Sequence, residues 1–196
     1  MSDASLLIGH FFLMILILDL TIRLFRMPRR RPVFHTVRTL LYVVLFSLHL
    51  AVFLIIFHWW TFQPGIPSGS FNTALSIMIP EAVLFLVFLF ILAKQLSTTF
   101  LQQHPFISLA WMLAAGAVLI FLIQLEIKYA GILHGTLDEK MNPWWLWWKD
   151  QHKNSLYFNI FSYGIGITSA ILTGIASALF RSSLKKNRHP GRKAYF

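Results

Sequence analysis

The chain has 196 residues, 57% of them hydrophobic and 12% charged, roughly half the charged share of a soluble domain. Its net charge of +10 does not imply nucleic-acid binding, because the basic residues flank apolar segments, where anionic lipid headgroups are the nearest partner. The absence of cysteine excludes disulfides, thiolate metal sites and thiol catalysis.

Five apolar segments, each near the ~20 residues that cross a bilayer, use up the chain. They predict an all-α integral membrane protein with a single transmembrane domain over 1–196. The first span is expected over 6–25. Residues 1–5 lack the basic start of a cleavable signal peptide and arginines follow the span, so it reads as a retained anchor with its N-terminus outside. His10 lies near the outer end of this span. Asp19 and Arg23 are four residues apart, a same-face ion pair that lowers the cost of burying either group. Pro28 and Pro32 end the helix. Arg26, Arg29, Arg30 and Arg31 set topology and contact anionic headgroups, each interaction contributing about 1 kcal/mol.

The second span is expected over 39–62, with His49 near its middle, His58 near its outer end, and Trp59 and Trp60 as an interfacial aromatic belt. A turn-rich outer loop follows over 63–70. The third span, over 73–96, contains Pro80, which should kink it and free a carbonyl one turn earlier. Glu81 follows, with no basic residue within helical reach. An acid at that depth binds a proton or finds a partner on another helix, and His49 and His10 are nearest in depth. The run 82–90 is bulky all round and suits lipid. The connection 97–105 is short, so the third and fourth spans should be antiparallel neighbours.

The fourth span is expected over 106–128, with a small-residue patch at 114–117. In the outer loop after it, Asn142-Pro143 reads as the start of a short amphipathic helix over 143–153 lying along the outer surface. Trp144, Trp147 and Trp148 share its apolar face as interfacial anchors, while Lys149, Asp150 and Lys153 extend toward water. The fifth span, over 155–180, carries Ser162, Gly166, Ala170, Gly174 and Ala178 every fourth residue, a stripe that allows close helix approach. Its expected partner is the fourth span; the alternative is another subunit.

The charge sort gives the orientation. Six arginines over 23–38, Lys94 and six basic residues over 181–193 put 13 of the 17 Lys and Arg on one face. Cytoplasmic loops carry this excess, so the chain reads as N-out and C-in in a bacterial-type inner membrane. The mitochondrial inner membrane fits the same rule.

Candidate chemistry is sparse. Imidazoles on facing helices hold haem b in membrane proteins. His49 and His58 are nine residues apart, on opposite faces at about 100° per residue, so a haem pair here would be His10 with His58, or His10 with His49. His134, Asp138, Glu139, His152 and Glu126 are metal-ligand types, but their spacing reads as a solvated loop, and no metal site is expected. No phosphate loop, nucleophile elbow or zinc-protease motif occurs, so the chain is not expected to be an enzyme on its own. The reading is a non-catalytic helical subunit of a larger inner-membrane complex of respiratory, secretion or transport type. Its partners would be lipids and other membrane subunits. The alternatives are an anchor holding one haem b or a quinone near the outer face, and a small transporter or lipid-handling protein working around Glu81.

Overall fold

A backbone crossing lipid must satisfy its own N–H and C=O groups, because hydrocarbon supplies no water to bond them. The apolar segments accordingly fold as helices. A computed structural model describes residues 3–26, 33–61, 72, 74–136 and 151–188. Its elements are α1 (Asp3–Arg26), α2 (Val33–Trp59), α3 (Leu75–Phe100), α4 (Pro105–Thr136), a 3-10 turn (Gln151–Lys153), α5 (Asn154–Tyr157) and α6 (Ile160–Arg188). No strand occurs among the described residues. Four stretches are long and apolar enough to cross a membrane: Thr36–Trp59, Leu75–Phe100, Pro105–Leu133 and Gln151–Leu184. The protein is an all-helical membrane protein.

Several boundaries differ from the expectation. Helix α4 continues to Thr136, because no proline or polar cluster interrupts it at 128. The last span is not one helix. Phe158 leaves the helical region at φ −122°, ψ 75°, and Asn159 starts α6 afresh. Its Oδ1 accepts from the backbone N–H groups of Phe161 at 2.7 Å and Ser162 at 2.9 Å. These are donors that a helix start leaves unsatisfied, and asparagine is a preferred cap for them. Most of the expected interfacial helix, with Trp144, Trp147 and Trp148, lies outside the described residues, as do Arg29, Arg30 and Arg31. The described end of that segment corrects the expectation for Lys153 and His152. Both are buried, with Gln151, in the 3-10 turn, because this turn leads into α5, which packs against α2 and α4.

Helix α6 packs along both α3 and α4, and α3 in turn borders α1 and α2. The small-residue stripe on α6 meets α3, not α4 as expected. A Cβ on Gly166 would lie 2.8 Å from the Phe85 ring, and one on Gly174 would lie 2.8 Å from both the Ala93 carbonyl oxygen and Leu96 Cβ. The closest approach falls where α3 itself is small, at Ala93 and Ser97. Helix α4 instead packs beside Gly164, where Leu122 would be 3.1 Å from an added Cβ. The sequence period marks a small face; the shape of the opposing helix decides what fills it. The run 82–90 is likewise not lipid-facing throughout. Phe85 and Phe88 are buried, whereas Val83, Leu86, Val87 and Phe90 are exposed. Residues at i and i+3 share one helix face, and that face forms the core with Val52, Phe53, Met78 and Tyr163.

Candidate functional site

The most buried ionisable groups among the described residues are brought together by α2 and α3. His49 projects from α2 and Glu81 from α3, one residue past Pro80. Helix α3 begins at Leu75, which places Glu81 roughly 9 Å below its start at 1.5 Å per residue. His49 Nδ1 lies 2.7 Å from Glu81 Oε1, and both side chains are 0% exposed. Glu81 therefore takes its partner from another helix, and that partner is His49.

Aromatic rings enclose the pair. The His49 ring lies 5.1 Å from Phe88 and 5.4 Å from Phe85 between centroids. Tyr163 of α6 stacks on Phe85 at 5.1 Å and packs edge-on against Phe53 at 5.2 Å. Its hydroxyl donates to the Phe46 carbonyl at 2.7 Å, which ties α6 to α2 beside the pair. Among the described residues, neither His49 Nε2 nor Glu81 Oε2 has a hydrogen-bond partner. The arrangement can hold and pass a proton between two heavy atoms.

The other expected residues are placed differently. His10 is buried, with its ring edge-on to Trp60 at 5.9 Å. His58 is exposed and its ring meets Phe57. The cavity that His10 lines, about 510 Å³ between α1 and α3, includes no part of His58. His10 and His58 thus do not line this cavity together, and His49 Nδ1 faces Glu81. Among the described residues no group of three or more His, Cys, Asp or Glu could hold a metal ion. Asp138 and Glu139 lie outside the described residues, as does the His134 side chain. Asp19 and Arg23 form the expected i,i+4 pair at 2.6 Å on an exposed face of α1. Arg26 and Trp59 are exposed and Trp60 is half-buried.

Sequence reasoning missed a second polar cluster at the end of the bundle where α2 finishes and α3 begins. Asn72 donates to Asn154 Oδ1 at 2.6 Å, and Asn154 donates to the Trp60 carbonyl at 2.5 Å. Asn72 Oδ1 accepts from the Ala74 N–H at 3.1 Å. Asn159 donates to the Ser155 carbonyl at 2.8 Å and to Glu126 Oε1 of α4 at 3.1 Å. These bonds join the loop before α3, the end of α2, α5 and α4. The available signal was three asparagines at the borders of apolar segments, a residue type that bonds local backbone when water is scarce. No family model, curated protein or solved structure matches the chain.

Proposed function

We propose that the chain is a five-span inner-membrane protein, N-out and C-in, that serves as a non-catalytic helical subunit of a larger membrane assembly. The fifth span is α1, whose 24 residues extend about 36 Å against a hydrocarbon thickness near 30 Å. Orientation follows from the basic residues gathered on one face, with exposed Arg23 and Arg26 at the α1 end. Anionic headgroups are the lipid partners of that face.

The observation that carries the subunit reading is the free face of α4. This helix packs chiefly on α6 and α5, and Ala110, Ala114, Ala117 and Gln124 all lie exposed along one side. Gln124 sits only about 5 Å from the helix midpoint at 1.5 Å per residue. An exposed amide at that depth faces hydrocarbon unless another helix covers it. Small residues beside a polar side chain are how helices associate in lipid, where apolar contact alone gives no preference for protein over acyl chains.

The test is native mass spectrometry of the protein extracted from its own membrane in mild detergent. The expected result is a mass well above the 22.7 kDa chain that resolves into other polypeptides and is lost in an Ala114→Leu/Gln124→Leu variant. A lone chain or a homo-oligomer would overturn the reading.

A further inference from the structure

Each of the two polar clusters described above holds one carboxylate, and that of Glu81 is the more deeply buried. Around Asn72, Asn154 and Asn159 each amide finds side-chain or backbone partners across element boundaries, while Glu126 Oε2, on a half-buried side chain, has none among the described residues. The His49–Glu81 pair has one 2.7 Å contact, total burial, and two polar atoms without partners among the described residues. A buried pair kept only for structure gains little unless its remaining protons and lone pairs are bonded. A half-satisfied network costs more than apolar packing in its place. Ionisable groups that persist in a membrane interior under those conditions mark proton or ion paths.

The 2.7 Å contact forms at more than one proton count, because the roles of Nδ1 and Oε1 follow the imidazole tautomer. With one titratable proton the pair is neutral overall, either as imidazolium and carboxylate or as imidazole and carboxylic acid. At 2.7 Å the proton passes between Nδ1 and Oε1 without displacement of either helix. Loss of that proton leaves a net negative charge among Phe85, Phe88 and Tyr163; gain of a second leaves a net positive one. The titratable groups around it are Tyr163 of α6, which stacks on Phe85, and Tyr42 of α2, which leans on Phe88. His10 of α1 and Tyr157 of α5 line grooves on the two sides of α3.

Those grooves reach the residues on either side of Glu81 in the chain. Pro80 lines the one between α1 and α3, whose polar lining residues are His10 and Ser76. Ala82 lines the other, which is lined mainly by apolar and aromatic side chains. Glu81 sits between these two neighbours. We propose that His49 and Glu81 form a proton-binding site that takes up and releases one proton through the α1–α3 groove, past His10.

The test is infrared difference spectroscopy of the full chain in lipid nanodiscs across a pH titration, with a parallel count of protons released. Isotope-labelled glutamate and histidine identify the bands without any substitution, so the wild-type protein alone decides whether the pair titrates. The expected result is a coupled carboxyl and imidazole signature, with one proton more per chain than in a His49→Phe/Glu81→Leu double variant. That variant removes both partners and leaves no buried charge behind. His10→Leu should leave the proton count unchanged and slow the exchange. A folded wild-type protein in which neither labelled group changes protonation overturns the site. Unchanged exchange in His10→Leu overturns the route.

Discussion

Substituting Gly174 with alanine isolates the contact that sets the distance between α3 and α6. The new Cβ would stand 2.8 Å from the Ala93 carbonyl oxygen and 3.3 Å from the Ser97 nitrogen, both backbone atoms, against 3.4 Å at the near edge of ordinary contact. Backbone cannot rotate away, so the helices must separate by about 0.6 Å there. A gap of that size forfeits about a quarter to a half of the dispersion attraction across the affected surface, and overpacking of a fitted core costs about 1–3 kcal/mol. Alanine also raises helix propensity by about 1 kcal/mol over glycine, which masks part of the loss. Gly116 supplies the control, since a Cβ there meets nothing within 4 Å. The difference between Gly174→Ala and Gly116→Ala cancels the propensity gain, and it should be about 1–3 kcal/mol against Gly174→Ala. Equilibrium unfolding in mixed detergent micelles, followed by circular dichroism, measures it. Equal stability of the two variants would refute the assignment of the stripe to α3.

Other substitutions probe the remaining joints. Phe88→Ala empties the core beside His49 and should lower stability by about 3–5 kcal/mol in the same unfolding assay; a change below 1 kcal/mol would mean that the ring is not enclosed. Asn159→Ala removes the α6 cap and the bond to Glu126, for an expected loss of about 2 kcal/mol, which the same unfolding curves would show. Tyr163→Phe keeps the ring stack and removes only the bond to the Phe46 carbonyl, so its expected cost is about 1 kcal/mol. A Tyr163→Phe loss as large as that of Phe88→Ala would show that the hydroxyl does more than tie α6 to α2.

Much of the architecture was legible because lipid imposes a simple rule: long apolar runs must be helices, and their lengths must match the bilayer. The expected segments over 39–62, 73–96 and 106–128 correspond to α2, α3 and α4, and the Asp19–Arg23 pair follows from helical spacing alone. The break at Phe158–Asn159 was hidden because a single asparagine among apolar residues reads as tolerated, and only its capping bonds reveal a new helix start. Lys153 misled for a related reason. A charge after a tryptophan run suggests water, but burial depends on what the 3-10 turn packs against.

The candidate site shows the same division. Local sequence determined that Glu81 had no partner on its own helix, because side chains only three or four positions apart meet on a helix face. It also determined that Gly166 and Gly174 lie on one small face of α6. Which helix meets that face, and which histidine meets Glu81, are contacts between segments separated by tens of residues. His10 and His49 were equivalent candidates by depth, and depth is all that a hydropathy pattern records. Tertiary packing chose His49 by rotating α2 so that the imidazole faces α3, while His10 turned toward Trp60. Rotation of one helix about its axis against another depends on how their side chains fit, and neither sequence alone carries that fit.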